Sequence, residues 1–139
     1  MAKVQNLFRA PKKRLPMEEL PEIRAIGDKG FEGCAHGRPG SKRQVLLVDR
    51  ETLEAMDLRP GIIRENITTD GLNVNSLQVG QLLRVGDACL EVSAVCTPCD
   101  QMEAIRPGLH KELWGRRGML CRVLDGGTIR RGDSIEKLS

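Results

Sequence analysis

Short apolar segments alternate with polar positions between Gly, Asp and Pro breakers along the whole chain. They run over Val4–Phe8, Glu22–Ile26, Gln44–Val48, Ile62–Thr69, Gln81–Val85, Ala88–Val95, Met119–Leu124 and Ser134–Leu138. A pleated backbone sends successive side chains to opposite faces, so this period of two predicts β-strands for all of them. In the fourth run it places Arg64, Asn66 and Thr68 on one face and Ile63, Glu65 and Ile67 on the other, as in a strand with one polar wall facing a pocket. Gly-rich turns such as Gly86-Asp87 and Asp125-Gly126-Gly127 favour a sandwich or closed barrel over an alternating strand-helix sheet.

Two helical stretches interrupt the strands. Asp49 stands as N-cap before Arg50-Glu51-Thr52-Leu53-Glu54-Ala55-Met56, with Leu53 and Met56 on one face, and Pro60-Gly61 ends the stretch. The second begins near Cys99-Asp100 and carries Met102 and Ile105. Pro107 breaks it, and it restarts through Leu109–Leu113 to stop around Gly115. The pattern predicts one all-β-dominated domain over residues 1–139 with a few short helices.

Composition narrows the function class. The chain is 40% hydrophobic and 29% charged, an ordinary globular balance. Two Phe, one Trp and no Tyr leave too few rings for a surface that stacks nucleic-acid bases. The net charge of +3 suits a small anionic ligand without demanding a polyanion. No segment is apolar enough to span a membrane, and Met1-Ala2-Lys3-Val4-Gln5-Asn6 lacks the core of a secretory signal, so a cytoplasmic protein without membrane partners is expected. In that compartment five cysteines read as thiols rather than as a disulfide framework.

The densest chemistry is Val95-Cys96-Thr97-Pro98-Cys99-Asp100, a C-x-x-C between a predicted strand and a predicted helix. A thiol in the first turn of a helix meets unpaired N–H groups and the positive end of the dipole. That placement, expected for Cys99 and partly offset by Asp100, favours thiolate over thiol. Cys89 and Cys121 sit inside strands and read as core. Zinc would need further ligands that His36 and His110 do not supply at the required spacing, and a thioredoxin-type pair would need a βαβ context. The remaining uses of such a thiolate are to bind a thiophilic metal centre or to carry a transferable sulfur, with Cys96 able to resolve a persulfide as a disulfide.

A glycine-rich loop, Gly27 to Arg43, is the second informative stretch. Its glycines allow N–H groups to converge on an anion near Lys42 and Arg43, although a plain surface loop has the same composition. It matches neither a Walker A motif nor G-x-G-x-x-G. His36 is the imidazole within it.

Gly30-Phe31-Glu32-Gly33-x-x-His36, Arg43-Gln44-Val45, Arg64-Glu65-Asn66-Ile67-Thr68-Thr69, Gly71-Leu72, Val79-Gly80-x-Leu82-Leu83-Arg84-Val85-Gly86, Leu90-Glu91-Val92, Pro98-Cys99 and Gly132-Asp133, in this order, resemble the MOSC domain. That domain ends molybdenum cofactor sulfurases, occurs in mitochondrial amidoxime-reducing components and forms small stand-alone bacterial proteins, and the likeness runs from about Val4 to Leu138. It implies a β-barrel with a few helices that handles the molybdenum cofactor, a molybdopterin, or sulfur destined for metal-sulfur centres. The family's characteristic cysteine falls on Cys99, as metal ligand or as persulfide carrier. His36, Arg43, Arg64 and Asn66 are then the expected cofactor-binding residues, with Arg43, Arg64, Asn66 and the glycine-rich loop toward the pterin phosphate. A cysteine desulfurase or a cofactor-synthesis enzyme is the expected partner. Three uses stay open: cofactor binding or sulfur carriage, reduction of N-hydroxylated compounds with external electron donors, and a non-catalytic accessory role. One departure stands out, because Gly33-Cys34-Ala35-His36 carries a thiol where the family commonly has Gly-Asp-x-His.

Overall fold

The computed structural model describes residues 2–13, 15–99 and 101–138. Its strands are β1 (Lys3–Arg9), β2 (Glu18–Leu20), β3 (Glu22–Ile26), β4 (Gly30–Phe31), β5 (Val45–Asp49), β6 (Ile67–Asp70), β7 (Leu82–Val85), β8 (Ala88–Val95), β9 (Met119–Asp125), β10 (Gly127–Arg130) and β11 (Ile135–Leu138). Helix α1 (Arg50–Ala55) follows β5, and α2 (Gln101–Ile105) and α3 (Leu109–Glu112) lie between β8 and β9. The chain is mostly sheet, as its alternation predicts.

The expected closed barrel is not found. An eight-stranded sheet runs β11-β7-β8-β9-β5-β6-β1-β2, and a separate three-stranded sheet runs β10-β3-β4. The reason lies in how β1 spends its two edges. One pairs with β6 across a bulge between Val4 and Asn6. On the other edge, Leu7–Arg9 pair with β2. Only the residues near Lys3 are left to meet the far end of the sheet, through a single bridge from Lys3 to Ser134 and bonds such as Val4 N–H to Asp133 O at 2.8 Å. The main sheet is therefore open, tied at one corner instead of laddered shut.

Strand β5 is buried along its whole length because its faces serve different cores. Val45 and Leu47 join the main apolar cluster with Leu7, Phe31, Ile67, Leu90 and Val123. Leu46 and Val48 face a second cluster under the helices, built from Leu53, Ile63, Met102, Leu109 and Leu113. The two Leu53-face residues expected of α1 are both buried there. Asp49 does precede α1, but its side chain makes no capping hydrogen bond.

Two local expectations fail for identifiable reasons. The run Ile62–Thr69 is a strand only from Ile67 onward. Before it, successive turns follow Pro60-Gly61, with Arg64 N–H bonding Gly61 O at 3.0 Å and Arg64 itself left-handed at φ 67°. Glu65 folds back so that its Oε2 accepts from Gly61 N at 2.8 Å. Asp125-Gly126-Gly127, expected as a turn, is one residue between two strands: Asp125 ends β9 and Gly127 opens β10 against β3, the glycines allowing close approach to Ala25 O and Asp87 O.

Candidate functional site

The glycine-rich loop is pinned by a glutamine. Gln44 is fully buried, and its Nε2 donates to Asp28 Oδ1 at 3.3 Å and to Arg38 O at 3.0 Å, while its Oε1 accepts from Val123 N on β9 at 2.9 Å. Gly30 closes the same corner: at φ 127°, a Cβ there would stand 3.1 Å from Gln44 O and from Gly37 Cα. Both the backbone conformation and the space require glycine. So held, the loop forms one wall of a cavity of about 400 Å³.

That cavity brings together all five residues that sequence reasoning singled out: Cys99, His36, Arg43, Arg64 and Asn66. Arg64 reaches it through the left-handed turn instead of a strand, and its Nη1 donates to Leu15 O at 2.6 Å. Thr68, expected on the same polar wall, is buried elsewhere and donates to Glu65 Oε2 at 2.9 Å. Lys42 does not line the cavity, but Arg43 does. A second, more apolar cavity of about 520 Å³, walled by Phe8, Met17 and Ile62 among others, shares Arg64 and Gln101 with the first.

Asn66 is the hub of the wall. Fully buried, it uses both ends of its amide: Nδ2 donates to Phe8 O at 3.2 Å and to Cys34 Sγ at 3.4 Å, and Oδ1 accepts from Leu46 N at 2.9 Å. His36 Nδ1 lies 3.5 Å from the same Oδ1. Cys34 Sγ also accepts from Ala10 N–H at 3.3 Å. Burial by itself raises a thiol's pKa, but here the hydrogen bonds from His36 and from Ala10 N–H outweigh it and hold Cys34 at about 7. The departure from the family pattern is thus an acidified sulfur, tied to the cavity through Asn66 and His36.

The C-x-x-C splits by environment. Cys99 is exposed in the cavity, and Cys96 lines it while almost fully buried. Burial pushes the Cys96 thiol up, against the nearby positive charges of Arg117 and Arg43. Cys99 does not sit in the first turn of a helix: it precedes α2, and its carbonyl accepts from Met102 N–H at 3.0 Å. A helix of five residues has little dipole to lend in any case. Asp100, expected to offset that field, lies outside the described residues. Cys89 and Cys121 are both buried in the core, and burial drives the Cys121 thiol strongly upward.

Sequence reasoning missed two lining cations, Lys13 and Arg117. Neither falls in a recognisable motif. Arg117 enters because Gly118, at φ 109°, brings the start of β9 so close to β5 that a Cβ there would collide with Leu47 O. With Arg38, Arg43 and Arg64 the cavity has five cations, and no carboxylate lines it among the described residues.

The MOSC domain family model matches residues 35–136. No curated protein matches the chain. Among solved structures, the fold is similar to YuaD from Bacillus subtilis, with a TM-score of 0.79 at 20% identity over 96% of this chain and 93% of that one. It is similar as well to YiiM from Geobacillus stearothermophilus, with a TM-score of 0.81 at 18% identity over 100% and 76%. YiiM from Escherichia coli superposes with a TM-score of 0.72 at 20% identity over 97% and 70%. At these identities the likeness is one of fold. With most of its length matched by the family model, the chain belongs to the MOSC domain family.

Proposed function

We propose that this chain binds the molybdenum cofactor, with Cys99 as the protein's ligand to the metal. The observation that carries this reading is a cavity in which an exposed thiol is surrounded by five cations and, among the described residues, no carboxylate. A persulfide on one cysteine would need no such wall, whereas an organic cofactor ending in a phosphate would.

The donor set fits that group and not a bare ion. Among the described residues no three His, Cys, Asp or Glu side chains converge on one point. A metal held here must bring ligands of its own and take one from the protein, and thiolate suits a thiophilic metal. Arg43 and Arg64 would hold the phosphate, His36 would meet a polar edge of the pterin, and Asn66, its amide already engaged, would fix the wall behind His36. When bound, the cofactor supplies a metal centre able to exchange an oxygen or sulfur atom with a substrate. The protein's own part is to orient it, to present Cys99, and to keep His36 beside the cavity as a proton donor or acceptor.

A second reading, sulfur carriage, is supported by Cys96 lining the same cavity as Cys99. It needs a cysteine desulfurase as partner, whereas the first needs a cofactor-synthesis enzyme. The two separate on protein purified anaerobically from a host that makes the cofactor. Cofactor binding predicts pterin fluorescence after oxidative release, lost in an Arg43→Ala/Arg64→Ala double variant. Cyanide-labile sulfur on Cys99 without pterin would replace it with the carrier reading. No described helix is long and apolar enough to cross a membrane.

A further inference from the structure

Arg117 is the one cavity cation that is almost fully buried, at 6% exposure. Its Nη2 donates to Ile63 O at 2.6 Å, but Nε and Nη1 have no partner among the described residues. Nor does any ion pair involve it among those residues. A guanidinium stays charged at any physiological pH, and burying it with orphaned donors is costly unless an acceptor arrives.

The buried carboxyl that feels its charge, Glu65, does not compensate it. Glu65 makes no hydrogen bond to Arg117, and its Oε2 is taken by Gly61 N–H and Thr68 Oγ1. Burial favours the neutral form of that carboxyl, which weakens it further as a counterion. Arg43, Cys96 and Arg117 line the same cavity, and both charges act on the Cys96 thiol. Two cations therefore share the cavity wall with Cys96, and among the described residues no carboxylate lines that cavity.

We propose that Arg117, together with Arg43, forms an oxyanion site in the cavity beside Cys96 that takes a phosphate group as the counterion of the buried guanidinium. The group comes either as inorganic phosphate or as the phosphate ester of a larger ligand. Only the second source rests on the cofactor reading above. Arg117 is the part of the site whose charge has no solvent to fall back on, so its removal weakens binding more than removal of an exposed arginine.

The test is a titration of the purified chain with inorganic phosphate, followed by calorimetry and by the side-chain N–H resonances of arginine. The Arg117 Nε–H signal shifts on titration, and Arg117→Met loses about tenfold or more in phosphate affinity, as expected for a charge-assisted bond between desolvated partners. Arg24→Met, which removes an exposed charge that lines no part of the cavity and forms no ion pair among the described residues, changes affinity by less than about twofold. Arg117→Lys keeps the charge and retains part of the affinity, so it reports on the site if the methionine variant fails to fold. Equal phosphate affinity in wild type and both Arg117 variants, or an Arg117 Nε–H signal indifferent to phosphate, overturns the site. Phosphate binding through Arg117 in a chain that never carries pterin leaves this site standing and removes the cofactor reading. Pterin retained by Arg117→Met with an unchanged phosphate response does the reverse.

Discussion

The Asn66 amide donates its Nδ2 to the Cys34 sulfur at 3.4 Å, and it is fixed in that orientation from the other side by Leu46 N–H, which bonds Asn66 Oδ1 at 2.9 Å. The amide cannot flip without facing donor to donor. Cys34 consequently sees an environment of donors, from Asn66 and from Ala10 N–H, that suits a sulfur accepting and not donating.

The pH dependence follows from this. Burial works against ionisation of Cys34, but the bonds from His36 and Ala10 lower its pKa from 9.0 to about 7. An acid whose pKa falls on folding contributes stability that is complete above the unfolded value and is lost as pH drops through the folded one. Wild type should therefore gain stability relative to Cys34→Ser between about pH 7 and pH 9, with no such gain below 7. Denaturant unfolding of both proteins across that range measures it, alongside the ultraviolet absorbance of the thiolate. A thiol in this position titrating at 9 or above would contradict the arrangement.

Truncating the hub has a larger effect. Asn66→Ala orphans the buried Leu46 N–H and Phe8 carbonyl together, a loss on the order of 3 kcal/mol in unfolding free energy. The same variant removes a donor from Cys34, so the thiolate titration should move upward. A destabilised protein whose Cys34 titrates as before would show that Asn66 holds the backbone without tuning the sulfur.

Much of this was legible in the chain. The runs Glu22–Ile26 and Ala88–Val95 are strands over the same residues in the structure; in the first, alternation reflects one face against the core, while the second is buried on both faces at Ala88-Cys89-Leu90. Strand β5 was visible as apolar, but its burial between two clusters was not, since continuous apolar runs do not say what covers each face. The Ile63 to Ile67 alternation looked like one strand because Ile63 is buried; it is buried from a turn, and only the left-handed Arg64 reveals that. Arg117 was invisible because an arginine pair between two glycines, Arg116-Arg117, reads as an exposed turn and does not tell which of the two turns inward. Barrel closure also failed to follow from strand count, since it depends on how β1 divides an edge between β2 and the Ser134 turn.

The position of Arg117 depends on its neighbour. Gly118 sits at φ 109° against Leu47 O, so Gly118→Ala strains the backbone and pushes β9 from β5. A loss of about 2 kcal/mol or more is expected by thermal or denaturant unfolding, with a weakened phosphate response in the folded fraction. Gly40→Ala, also at positive φ but with open space around it, should cost less.

Thiol accessibility divides the five cysteines. Brief alkylation of the native protein, read by mass spectrometry, should label Cys99, which is exposed, and leave Cys89 and Cys121 protected until denaturant is added. Occupation of the cavity by a cofactor should slow labelling of Cys99 and leave the buried pair unchanged.

The central claim is a thiolate-ligated metal cofactor in the basic cavity. Metal content per chain, measured on wild type and Cys99→Ser purified anaerobically from a cofactor-producing host, addresses it most directly. Near-stoichiometric molybdenum or tungsten in the wild type, lost in Cys99→Ser while the fold is intact, is the predicted result. Neither metal in the wild type, or equal metal in both proteins, would contradict it.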